Sequence, residues 1–133
     1  MKATTTILLV IIICFSSCKS SDKKLQGPKG EFRVETIDKD SVADKQITLK
    51  FDPEKGQITG RGVCNSYSST YVVSADNIKF SPAMATKMMC PEGTSLEYNF
   101  FQALLKADNY KLKRGVLSLY NAEDKLILTA KDE

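Results

Sequence analysis

The chain is 133 residues long, with 19 basic and 16 acidic side chains, a formal charge of +3 and no histidine. That length suits one domain with a continuous core, and a charge this close to balance provides no basic surface for nucleic acid. The missing histidine removes Ser-His-Asp and Cys-His nucleophile pairs and most zinc sites.

An apolar run from Ile7 to Phe15 ends in Ser16-Ser17-Cys18 and gives way at once to Lys19-Ser20-Ser21-Asp22-Lys23-Lys24. As a helix the run covers roughly 14 Å, about half of a ~30 Å hydrocarbon core, so it is too short to span. With Lys2 as the positive n-region and two small serines before the cleavage point, it reads as a signal peptide. Phe15-Ser16-Ser17-Cys18 resembles a bacterial lipobox, in which the cysteine becomes the first residue and carries acyl chains. The expectation is that residues 1–17 are removed and that acylated Cys18 holds the mature chain on a membrane. The alternatives are an ordinary secretory signal that happens to contain a cysteine and a buried N-terminal strand. Lys19 stands where an aspartate would resemble an inner-membrane retention signal, which favours the outer membrane and leaves the facing side open.

Residues 18–30 are expected to be a flexible tether. They contain Lys19, Lys23, Lys24 and Lys29 against Asp22 alone, and they end in Gly27-Pro28-Lys29-Gly30. A dozen coil residues reach roughly 20 Å. Lysines beside an anionic membrane add about 1 kcal/mol each to an anchor, and a charged linker that serves only solubility is the alternative.

From Glu31 the pattern has a period of two. Phe32, Val34 and Thr36 alternate with charged residues, and Ile47, Leu49 and Phe51 alternate with Gln46, Thr48 and Lys50, so each segment reads as a strand with one buried face. Asp52-Pro53-Glu54-Lys55-Gly56 is a turn, after which Ile58, Gly60, Gly62 and Cys64 are placed on one side of the next strand. Glycines at alternate positions predict a bend or the close approach of another element. Tyr67 to Val73 and Asn77 to Ser81 are two more strands. The short connections make the sheet antiparallel.

Thr94-Ser95-Leu96-Glu97 fits a capping box and predicts a helix over 94–107, with Leu96, Phe100, Phe101, Leu104 and Leu105 on the packed face. A meander follows, with Tyr110 to Leu112 and Leu117 to Leu119 flanking Arg114-Gly115, and Leu126 to Ala130 closing the chain. The fold class is therefore α+β. About six to eight antiparallel strands, curved enough to close toward a barrel, pack with one helix over residues 31–133.

Cys14 belongs to the removed segment and Cys18 to the lipid, which leaves Cys64 and Cys90. In an exported domain an even remainder favours a disulfide, which would contribute about 3.5 kcal/mol in the loop-entropy model. Two buried free thiols are the other reading. A catalytic thiol is disfavoured because no base is available and the pair is not CxxC.

Gly60-Arg61-Gly62-Val63-Cys64-Asn65-Ser66-Tyr67, then Tyr71, Ile78-Lys79-Phe80, Thr86-Lys87-Met88-Met89-Cys90, and Glu97 and Phe101 ahead of Leu104-Leu105 resemble the META domain, also called the HslJ-like domain. The likeness spans about Gln46 to Lys131. It implies a compact domain of antiparallel strands with one helix, often on lipoproteins and linked with heat-shock, drug-resistance or motility phenotypes, and no settled activity. Within these motifs Asn65 reads as a turn residue that tolerates the left-handed conformation, and Tyr67 and Tyr71 alternate into a core or a surface groove.

No catalytic, cofactor or metal constellation is expected. Asp38-Lys39-Asp40 begins like a calcium loop, but Ala43 and Leu49 occupy the positions of its required glycine and glutamate. Gly60-x-Gly62 lacks the third glycine and the helix of a dinucleotide site. The expected function is that of a monomeric, non-enzymatic, lipid-anchored envelope domain that binds a protein, peptide or glycan. A carboxylate-based hydrolase of an envelope glycan and a purely structural lipoprotein are the alternatives.

Overall fold

The computed structural model describes residues 27–133. The expected signal peptide, the expected lipidation site Cys18 and Lys19 to Gln26 of the expected tether lie outside the described residues.

Among the described residues ten strands and one α-helix are formed, with a short 3-10 turn at Ala43–Lys45: β1 (Gly30–Ile37), β2 (Asp40–Ser41), β3 (Thr48–Asp52), β4 (Gln57–Arg61), β5 (Ser66–Ser74), β6 (Asn77–Phe80), β7 (Met84–Ala85), α1 (Thr94–Lys106), β8 (Asn109–Lys113), β9 (Val116–Tyr120) and β10 (Leu126–Asp132). Every pairing is antiparallel, as the short connections require. Strands β1, β3, β4, β5, β6, β8, β9 and β10 follow one another around the sheet, and β10 returns to β1 through pairs that include Phe32 with Asp132 and Ile37 with Leu128. The result is an eight-stranded barrel with a single helix, an α+β fold. Closure satisfies the backbone of both terminal strands and removes the open edges of a flat sheet.

The alternating residues point inward as the period of two demands. Phe32, Val34, Leu49, Phe51, Ile58, Tyr67, Tyr71, Ile78, Leu117, Leu119, Leu128 and Ala130 are all buried. Toward one end of the barrel Phe51 meets Phe32 and Tyr71 edge-on at ring distances of 5.8 and 5.2 Å, and Phe80 lies against both Phe51 and Tyr71.

The helix packs on the expected face except at Leu105, and that face also takes in Glu97 and Ala103. Glu97, Phe100, Ala103 and Leu104 are buried, whereas Leu96 and Phe101 are half-buried and Leu105 is exposed. These buried positions lie three and four apart, so they occupy one side of the helix. The inward face thus carries a carboxylate, which apolar periodicity does not reveal.

Strand register gives the barrel two distinguishable ends. Gly30 lies opposite Phe51, and Phe51 lies opposite Ile58, from which β4 runs away toward Arg61. The loop of residues 62–65, between β4 and β5, is therefore at the end opposite to the entry of the chain. The expected tether stops short of Gly30. Pro28 is fully buried, Gly27 lies against Val73, and Gly30 already pairs with Phe51.

Strand β4 also ends earlier than the sequence pattern implies. It stops at Arg61, so Gly62 and Cys64 belong to the loop. The expectation of close approach at the glycines holds at both. A Cβ on Gly60 would run into the backbone carbonyl of Thr48, and one on Gly62 would run into the Glu97 carboxylate.

Candidate functional site

The four residues Gly62 to Asn65 leave the ladder, so their N–H groups need partners from elsewhere. Gly62 donates within the loop to the Asn65 carbonyl at 2.7 Å, and the Glu97 carboxylate on the first turn of α1 serves Cys64 and Asn65. Its Oε1 accepts from the N–H of Cys64 at 3.0 Å and from the N–H of Asn65 at 2.8 Å, and its Oε2 accepts from Asn65 Nδ2 at 2.6 Å. Asn65 extends the network to a third segment, because its Oδ1 accepts from Thr86 Oγ1 at 2.9 Å and from the N–H of Met88 at 2.7 Å. Asn65 and Glu97 are only 6% and 7% exposed, so the centre of the arrangement is shielded from water. It joins the β4–β5 loop, the chain after β7 and the helix.

Two sequence expectations change here. Thr94 is the first residue of the helix rather than its cap. The cap is Gly93, and no side chain bonds to it. The Thr94 hydroxyl turns back and donates to the Cys90 carbonyl at 2.6 Å. Glu97 is therefore not spent on the helix end and is free to reach the neighbouring loop. Asn65 is not in the left-handed region, and its contribution is its buried side chain. A capping box and a cross-loop carboxylate share the same spacing, so the sequence alone cannot separate them.

Burial of Glu97 opposes its ionisation. The hydrogen bonds from Asn65, Cys64 and Val63 outweigh that effect and hold the carboxyl below its ordinary value of 4.5. The group is thus a charged acceptor without a basic partner, satisfied by neutral donors. Below it, Tyr67 donates its hydroxyl to the Thr48 carbonyl at 2.8 Å and meets Phe100 and Phe101, each at 5.4 Å. Burial pushes the Tyr67 phenol far above its usual range, so it remains a donor.

Cys64 and Cys90 are joined in a disulfide, with Cα atoms 5.8 Å apart. This covalent link runs beside the Glu97 network and ties the same loop to the segment that leads into α1. Around it opens a shallow depression of about 390 Å³ lined by Lys45, Val63, Met89, Pro91, Gly93 and Leu96 among others.

The segment that Asn65 holds has an unusual surface. Met84, Met88 and Met89 are 76%, 62% and 92% exposed, and Tyr98 on the adjoining helix is 62% exposed. Methionine ordinarily fills core gaps, so three exposed ones within six residues are a property of the surface rather than of packing. The sequence-derived motif Thr86-x-Met88-x-Cys90 therefore divides its labour: Thr86 and Cys90 fasten the segment, and Met88 faces solvent.

Asp38 of the calcium-like segment and the neighbouring acidic residues Glu123 and Asp124 belong to turns. Asp38, at φ 54°, turns β1 into β2. Glu123 and Asp124 lie in the exposed turn after β9, where Asn121 Oδ1 accepts from the N–H groups of Glu123 and Lys125.

The family model described as the META domain matches residues 23–133. None of the curated proteins matches the chain. Three solved structures are similar. One, determined by NMR, is 27% identical with a TM-score of 0.59 and covers 77% of this chain and 87% of its own. A second NMR structure, of a protein from Burkholderia xenovorans, is 17% identical with a TM-score of 0.61 and covers 86% and 97%. The crystal structure of a DUF4847-family protein from Bacteroides vulgatus is 16% identical with a TM-score of 0.58 and covers 79% and 93%. The last two likenesses concern the fold alone, and none of these matches names a catalytic activity.

Proposed function

Since the chain belongs to the META domain family, we propose that it is a non-catalytic binding module of a bacterial envelope, anchored by acylated Cys18 and recognising a protein partner with the disulfide-linked end of its barrel. The observation that carries this reading is the position of the exposed methionines. They lie at the end opposite to Gly30, where the chain enters the domain, on a segment fastened by Asn65 and Cys90. An anchor on Cys18 attaches through the entry end, so the methionine end is turned away from the membrane and available to another protein. Thioether side chains suit such a contact because they are apolar and adapt to the partner's shape.

The fastening also explains why a rigid latch is present without a reaction to serve. A binding segment held in place does not have to be ordered when the partner arrives, which lowers the cost of association. The Glu97 carboxylate supports this arrangement rather than chemistry, because all its described contacts are donors from its own fold.

The test places a photo-crosslinking residue at Met89 or, as a control at the other end, at Glu54 in the full-length protein in cells. Crosslinks to a protein from position 89 and not from position 54 are expected. Equal crosslinking from both positions, or none from 89, would contradict the reading. In parallel, the Cys18→Ser protein is expected to leave the membrane fraction, and its retention there would remove the anchor from the account.

A further inference from the structure

Strand β7 has one neighbour. Its two residues pair with β5, Met84 opposite Ser68 and Ala85 opposite Tyr67, and among the described residues no strand lies on its other side. In an antiparallel pair the residues alternate between those that exchange hydrogen bonds with the partner and those whose N–H and C=O point away from it. The parity is set by Thr86, whose N–H donates to the Ser66 carbonyl at 3.0 Å. Met84 shares that parity, so Ala85 has the opposite one. The N–H and C=O of Ala85 face outward from β5, and the alternation carried on along the chain gives Lys87 the same direction. Both residues are exposed.

We propose that this edge is a strand-addition site, which takes an extended polypeptide segment from another protein. The inference rests on the protein-binding reading above and specifies how the partner binds. Backbone groups at every second residue are matched by another strand, whereas a helix or a folded surface has no free backbone groups to offer. The flanking side chains define the occupant further. From Ser81 to Met89 the only charged residue is Lys87, and Met84, Met88 and Met89 are exposed beside it. The complementary segment is therefore apolar at alternate positions and carries an acidic side chain opposite Lys87.

The edge is short, which limits unspecific pairing in the free protein, and the exposed lysine opposes aggregation through it. The same shortness means that the methionines must contribute much of the affinity and that selectivity lies in the alternation of the partner's side chains.

The experiment selects binders from a random-peptide library on the folded, disulfide-intact domain and maps a selected peptide by amide hydrogen exchange. In the free domain the amides of Ala85 and Lys87 are expected to exchange rapidly while that of Thr86 is protected. The bound peptide, enriched in alternating apolar residues with an acidic one, is expected to protect both. Ala85→Pro removes the outward N–H and spares the bonds to β5, so it is expected to leave the unfolding temperature unchanged and to weaken binding about tenfold, the equivalent of one lost hydrogen bond. Lys87→Glu provides an independent variant that keeps the backbone and is expected to reject the acidic peptides. Protection mapping to another surface, full binding by a folded Ala85→Pro protein, or selected sequences without alternation would overturn the proposal. Concentration-dependent protection of Ala85 in the absence of peptide would assign the edge to a second copy and overturn it as well. Position-specific crosslinks from Met89 without involvement of Ala85 would leave the binding module standing and remove only this mode.

Discussion

The two ends of the barrel are closed by different physics. At the end where the chain enters, Phe32, Phe51, Tyr71 and Phe80 fill the space with aromatic rings, and the adjoining connections are tight turns. At the far end a four-residue loop, a free segment and a helix are tied by one buried carboxylate, one buried amide and one disulfide. The aromatic end tolerates imperfect neighbours because burial is non-directional. The polar end does not, since each donor there has a single acceptor and the Asn65–Glu97 pair at its centre lies away from water.

The sharpest way to break this comparison is to open the disulfide. Cys64→Ser with Cys90→Ser is expected to lower unfolding stability by about 3.5 kcal/mol in the loop-entropy model, read from urea unfolding of the oxidised and double-variant proteins. Glu97→Ala is next. It leaves two backbone donors and the Asn65 amide unpaired in a buried setting, for an expected loss of about 3 kcal/mol. A smaller loss than from Tyr71→Phe at the aromatic end would erase the distinction between the ends.

Acid sharpens the same point. Because the folded state holds the Glu97 carboxyl below its ordinary value of 4.5, its contribution is fully present above that pH and is lost as the pH falls through the folded-state value. Unfolding followed from neutral pH downward is expected to fall more steeply for the parent than for Glu97→Gln, and parallel curves would contradict the assignment. Phe51→Leu at the aromatic end is expected to cost about 1 kcal/mol with no acid dependence of its own, since it removes edge-on ring contacts from a core that repacks. The smallest effect belongs to the surface. Replacing Met84 and Met88 with glutamine is expected to change stability by less than about 0.5 kcal/mol while abolishing the crosslinks from a probe at position 89.

The difference between the ends also decides what was legible in the sequence. The aromatic end was, because Phe32, Val34, Leu49 and Phe51 announce their inward faces by alternation alone. Strands β2 and β7 were not, since two residues have no period. Closure of β10 on β1 joins residues about a hundred positions apart, as Phe32 with Asp132 illustrates, and only the expected curvature pointed toward it. At the polar end Gly60 and Gly62 signalled that something approaches closely, without naming the Thr48 carbonyl and the Glu97 carboxylate as what arrives. Glu97 itself was hidden by a spacing that serves helix capping equally well, and Leu105 was assigned to the packed face because apolar periodicity gives no weight to a buried acid.

Hydrogen exchange at the far end, compared between the parent and Glu97→Gln, tests the latch most directly. The glutamine keeps one acceptor oxygen but turns its amide toward the Asn65 amide, and Asn65 cannot rotate without giving up Thr86 and Met88. The account predicts that the amides of Cys64, Asn65 and Met88 lose protection together in the variant while those of Ile58 and Leu128 in the barrel wall keep theirs. Unchanged protection at Cys64, Asn65 and Met88, or a uniform loss across the barrel, would contradict it.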